Sequence, residues 1–308
     1  VMAEVPAYRE FLRTQVRKHG RHHPIVASEY FLEPIDGAGG LFDERRRALM
    51  RGDHPRRHEP EPGRLYLATL DVAGQDEAAT DPVARLAHPA RDYTVATAFD
   101  VSLPGPEQFA PGPTYRAVDV FVDHGSRHFE AYPGRPPLVE RLHAWFQHWH
   151  ITHLIADESG VGLGLVAWMT NALGAGRVTG YNFGGYNKAA LGAAFLSVIE
   201  TGRFRYWSGD EEEQVLGDAW WFWQQATHCT YDLPPEGRFD RDLRWSVPDA
   251  AQVETPAGRQ PLHDDRLISA ALIAEADRLY RGGKLLLGHA RSRIVEATDP
   301  LSGTGDAF

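Results

Sequence analysis

Between Arg64 and Gly125 three apolar runs, RLYLATLDVAG, DYTVATAFDV and TYRAVDVFVDHG, follow one another, and the sequence pattern shows no helical segment between them. Their continuous or period-2 apolar character predicts strands, and three successive strands without a helix predict an antiparallel meander. From residue 136 the pattern changes. A helix in PPLVERLHAWFQHWH is followed by a short buried strand in THLIADE, a helix over 161–173, a strand in RVTGYNF and a helix in NKAALGAAFLSVIETG. A short run RFRYW and a helix in EEEQVLGDAWWFWQQA come next. Alternation of this kind predicts parallel pairing with helices on the sheet faces. The two halves together are expected to build one mixed α/β sheet, with an extra β-hairpin of HCTYDL and LRWSVP and a closing helix in PLHDDRLISAALIAEA.

The chain of 308 residues, 43% hydrophobic, is long enough for a sizeable core. Residues 1–62 read as a lead-in with a basic helix near 5–18 and a linker in RGDHPRRHEPEPGR, 63–283 as the main domain, and 284–308 as a flexible tail. A net charge of −10 argues against coating nucleic acid by bulk electrostatics. The single Cys229 excludes an internal disulfide framework and a cysteine zinc cluster, and a lone half-buried thiol is expected. No stretch approaches the ~20 apolar residues of a membrane span, and the opening residues lack a signal-peptide core. No membrane partner and a cytoplasmic location are therefore expected.

The chemistry is sought where α/β sheets keep it, at the C-terminal ends of the parallel strands. Asp71 ends the first strand of the meander, Asp157 and Glu158 end the fourth strand, and Asp264 and Asp265 open the last helix. An Asp before a helix is ordinarily a cap. One capping Asp leaves its neighbour unexplained. If the first and fourth strands are neighbours, all three acidic positions meet at one sheet edge, where like charges raise each other's pKa. A divalent cation with oxygen ligands resolves that conflict, and two such ions clamp an in-line phosphoryl displacement. The layout, acids on strand one, strand four and the last helix of a βββαβα chain, is that of the ribonuclease H fold.

In LDVAG, LIADESGVGLG, YNFGGYNKAALGAAFLSVIETGRF, LHDDRLISAALIAEA and EYFLEPIDGAGGLF the sequence resembles the nuclease domain of the large terminase subunit, the DNA-packaging motor of tailed phages. The resemblance runs from about residue 25 to 280, its first part matching the segment that joins the packaging ATPase to the nuclease. It implies a two-metal-ion endodeoxyribonuclease using Mg²⁺ or Mn²⁺ to cut concatemeric double-stranded DNA. Asp71, Asp157, Asp264 and Asp265 would be the catalytic metal ligands, with Glu158 a further candidate beside Asp157. Lys188, Arg203, Arg238, Arg241, Arg244 and His263 are candidates for DNA contact. Portal protein and small terminase subunit are the implied partners, and the host cytoplasm the implied location. The family's ATPase P-loop, G-x-x-x-x-G-K-[ST], is missing from this sequence. A fragment, a remnant and a stand-alone nuclease are all compatible with that departure.

Two other readings compete. Gly162, Gly164 and Ala167 satisfy G-x-G-x-x-A after a strand, the fingerprint of a dinucleotide-binding Rossmann-like protein. Against it, Asp157 and Glu158 would stand beside a pyrophosphate, and RVTGYNF ends without the ribose-binding acid. A non-catalytic ribonuclease H-like interaction module is the other. Histidines 143, 148, 150 and 153 lack zinc-site spacing. The run Trp220, Trp221, Phe222, Trp223 could stack bases, but helical periodicity turns at least two of these rings into the core.

Overall fold

A computed structural model of the chain describes residues 6–73, 93–104, 112–123, 127–131, 133–208 and 216–285. Six strands form the central sheet: β2 (Leu65–Asp71), β3 (Thr94–Ser102), β4 (Thr114–Asp123), β5 (His153–Asp157), β6 (Val178–Tyr181) and β7 (Phe204–Tyr206), in the spatial order β6-β5-β2-β3-β4-β7. The pairs β2–β3 and β3–β4 are antiparallel; β2–β5, β5–β6 and β4–β7 are parallel. This is the mixed, ribonuclease H-like sheet that the sequence pattern predicts, with one parallel strand added beyond the meander. Leu70 pairs with Ala156, so the next residues, Asp71 and Asp157, end neighbouring strands side by side.

Alternation of side chains sorts the strands between two layers. Tyr66, Ala68, Leu70, Leu154 and Ala156 pack under α4 (Leu138–His148) and α5 (Gly162–Leu173). Leu67 and Ile155 face the opposite layer, built from α6 (Asn187–Glu200), α7 (Asp218–His228), α9 (Asp265–Ala271) and α10 (Ile273–Arg281). Asp71 and Asp157 share the parity of Leu67 and Ile155, so both are on the face that α9 covers.

The remaining elements are α1 (Pro6–His19), α2 (Pro24–Phe31), β1 (Ala38–Gly40), α3 (Glu44–Met50), β8 (Thr230–Asp232), α8 (Phe239–Asp242), β9 (Arg244–Ser246), β10 (Gln252–Thr255) and β11 (Gly258–Pro261). The expected hairpin is present as β8–β9, and β1 joins it as a third strand. The β10–β11 hairpin is an addition to the elements that the sequence pattern predicts. Residues 24–54 lie against the main domain: Val26, Leu41, Phe42 and Met50 are fully buried, and β7 holds the chain through the bond from Gly52 N to Tyr206 O. The tail expected from 284 falls, apart from residues 284 and 285, outside the described residues. No helix among the described residues is long and apolar enough to cross a membrane.

Candidate active site

Four aspartates from three elements meet at the C-terminal edge of the sheet. Asp71, Asp157, Asp264 and Asp265 line one recess of about 240 Å³ with Lys188, Val72, Ala73, Phe183 and Ile268. Each position has a local cause. Asp71 and Asp157 are the last residues of paired parallel strands. Asp157 Oδ1 also accepts a hydrogen bond from Ser159 N at 2.8 Å, closing the turn that leads to α5. α9 is held to the sheet by a buried hydroxyl cluster: Ser269 Oγ lies 2.9 Å from Thr97 Oγ1 and 3.5 Å from Thr69 Oγ1, two residues before Asp71.

Asp264, at the start of α9, does not cap it with its side chain. Asp264 stands at the N-cap with φ −110° and ψ 10°, outside the extended conformation usual there, and its side chain makes no capping bond. Its Oδ2 lies instead 3.5 Å from Lys188 Nζ, at the start of α6. Trp245 Nε1 donates to Lys188 O at 2.7 Å, and the indole reaches that carbonyl because Gly192, one turn on, has no Cβ in its way.

The electrostatics is one-sided. Burial, followed by the charges of Asp265, Asp264 and Asp157, holds the Asp71 carboxyl well above its ordinary range, with Lys188 opposing. Burial also raises Asp157, against the hydrogen bonds from Ser159. Among the described residues no three His, Cys, Asp or Glu side chains already converge tightly enough to hold an ion. In chemistry the donors fit one: they are hard, all oxygen, and under mutual repulsion that a divalent cation relieves.

Beside this recess lies a second of about 490 Å³, sharing Phe183 and Lys188 with it and bordered by Arg241, Arg244 and Trp245. The Arg241 guanidinium lies 4.8 Å from the ring centroid of Tyr186, an exposed side chain. A cationic groove thus opens directly from the acidic recess.

Other candidates are placed elsewhere. Glu158 reaches over Gly180 of the edge strand into a separate recess bordered by α6 and α10; a Cβ at Gly180 would sit 1.8 Å from its Oε2, so the glycine makes the room. Arg203, expected at the DNA surface, is 1% exposed and donates to Asp277 Oδ2 at 3.0 Å and to Pro113 O. Buried ion pairing, with no side chain left to reach a phosphate, corrects that expectation. Arg238 pairs with Asp240 outside both recesses, and His263 is half-buried beside the aspartates without lining the recess. Cys229 is fully buried and burial pushes its thiol far up, so it is no nucleophile. Phe222 stacks on Tyr206 at 3.7 Å in the core, with Trp220, Trp221 and Trp223 packed against that core. A Cβ at Gly162 would sit 2.3 Å from Asp157 O; close packing explains that glycine with no cofactor.

No family model matches the chain, and no curated protein matches it in sequence. In overall shape it is similar to the magnesium-bound large terminase nuclease from the thermophilic phage G20c, at 16% identity and a TM-score of 0.48 over 79% of this chain and 98% of that one. It is also similar to the large terminase nuclease domain of Thermus phage P74-26, at 15% identity and a TM-score of 0.45 over 76% and 93%. The large terminase of a further thermophilic bacteriophage, in complex with ADP, aligns at 10% identity and a TM-score of 0.47 over 86% of this chain and 51% of that one.

Proposed function

We propose that the chain is a divalent-metal-dependent endonuclease for double-stranded DNA, with Asp71, Asp157, Asp264 and Asp265 holding a pair of Mg²⁺ or Mn²⁺ ions. The observation that carries this reading is the convergence of four carboxylates, from β2, β5 and α9, in one recess where Lys188 is the one cation among the described lining residues. When bound, the ions supply an activated water and neutralise charge on the scissile phosphate. The protein's own groups do the rest. Asp71, buried and surrounded by the charges of the other three, would be a principal ligand. Lys188, which lines both recesses, would meet the phosphate. Arg241 and Arg244 take phosphates of the flanking backbone, for which planar guanidinium groups are well shaped.

In a viral packaging setting, to which the motif resemblance points, this activity is the cut of concatemeric DNA at the start and end of head filling, with portal protein and small terminase subunit as partners. Against the dinucleotide reading, close packing accounts for Gly162, one residue of its fingerprint. The test is incubation of supercoiled plasmid with the protein in Mn²⁺, in Mg²⁺ and in EDTA. Nicked and linear products in either metal and none in EDTA are expected; intact plasmid under every metal contradicts an autonomous nuclease.

A further inference from the structure

A helix that begins with two aspartates would ordinarily spend one of them on its own N-terminal N–H groups. α9 does not, because another helix supplies the cap. The Leu267 N–H, the third of α9 and the one that an N-cap side chain usually takes, donates to Gln225 Oε1 of α7 at 2.9 Å. Gln225 is 2% exposed, and since Leu267 N can only donate, the contact fixes which end of the amide is oxygen. The same helix grips α9 a second time. Asp218, its first residue, accepts from Arg266 Nε and Nη2 at 3.1 and 2.6 Å. Ile268 N meanwhile bonds Asp264 O at 2.8 Å, so the backbone of Asp264 starts the helix while its side chain turns to Lys188.

From this geometry we infer that Gln225 is a positioning residue for the nuclease site: by capping α9 from α7 it keeps both Asp264 and Asp265 facing the recess as metal ligands. Without that oxygen, the Leu267 N–H is an orphan donor in the interior, and Asp264, already at the N-cap position, carries the carboxylate that ordinarily accepts from it, at the expense of its place in the recess. The inference rests on the proposed metal site, and the experiment separates the two.

Mn²⁺ binding is measured by calorimetry, and melting in EDTA, for the wild type, Gln225→Met, Gln225→Glu and Asp264→Ala, with Asp264→Ala also placed in the Gln225→Met background. Methionine fills the same space without an acceptor, whereas glutamate keeps the oxygen. Gln225→Met should weaken Mn²⁺ binding by about 10-fold or more, a usual cost of losing a group that orients a metal ligand, and Gln225→Glu should restore most of it. Asp264→Ala should leave melting unchanged in the wild type yet lower it in Gln225→Met, where Asp264 has become the cap. A merely structural Gln225 gives no such coupling. Wild-type Mn²⁺ affinity in Gln225→Met overturns the inference, and so does a lowered melting temperature for Asp264→Ala alone, a result that stands even if Gln225→Met does not fold. If the wild type itself binds no Mn²⁺, the metal site fails, and the two Asp264→Ala melts still decide who caps the helix.

Discussion

At the scale of single residues, Asp71 is the group whose environment demands an explanation other than structure. Burial and three neighbouring aspartates hold its carboxyl well above the ordinary range, so the native state binds this proton more readily than the unfolded chain does. The sign follows: the group's contribution to stability is present at low pH and is lost as pH rises past the ordinary carboxylate value of about 4. At neutral pH without metal it is a net cost. Asp71→Asn keeps the shape and removes the charge, so in EDTA at pH 7 the variant should melt at the wild-type temperature or above it. On the proposed function its cleavage should nonetheless fall by about 10³-fold or more, as for loss of a metal ligand. Thermal melts beside plasmid assays check both halves. A lower melting temperature with cleavage preserved would make Asp71 structural.

At the scale of elements, the docking of α1 and α2 on α6 depends on neutral histidines. His23 Nδ1 accepts from Ile25 N at 3.3 Å, capping α2, while its Nε2 donates to Ala193 O at 2.9 Å, a pairing that only the neutral ring can make. Burial lowers His23 to about 4. Burial and the charge of His23 lower His19, whose ring lies 2.8 Å from Ser197 Oγ, to about 4 as well. Both native values lie below the unfolded value near 6.5, so stability is complete above that pH and falls as pH drops toward 4, by ~1.4 kcal/mol for each unit of separation. Urea midpoints between pH 7 and 4.5 should fall less steeply in His23→Gln than in the wild type; parallel slopes would contradict the buried-neutral assignment. Elements such as these show what a sequence discloses and what it withholds. The strand order was legible because three strands without a helix, then alternation, leave few topologies, and the acidic positions followed from the strand ends. The direction of Glu158 was not legible, since Gly180 of another strand decides it. Nor was the burial of Arg203, which depends on Asp277, 74 residues away, or the cap from Gln225, 42 residues before Leu267. Side-chain partners brought together by the fold leave no periodicity to read. The fusion of α1, β1 and α3 to the main body escaped for the same reason.

At the scale of the whole molecule, the proposed function asks a chain of net charge −10 to hold a polyanion through a few local cations. Lys188, Arg241 and Arg244 surround the groove beside the recess, so binding titrations should give a shallow salt dependence, a slope worth about 3 phosphates. Arg241→Ala with Arg244→Ala should reduce it by about 2, and a slope corresponding to ~10 phosphates would reveal a larger cationic surface than this groove. The same imbalance makes the acidic recess repel a phosphate until its charge is offset, so on the proposed function DNA binding should strengthen when Mn²⁺ is added. Calorimetric titration of Mn²⁺ into the wild type and Asp71→Asn at neutral pH decides whether these four aspartates are a metal site. Saturable binding to the wild type that is lost in Asp71→Asn is the predicted result; equal binding to both proteins, or none to the wild type, would contradict it.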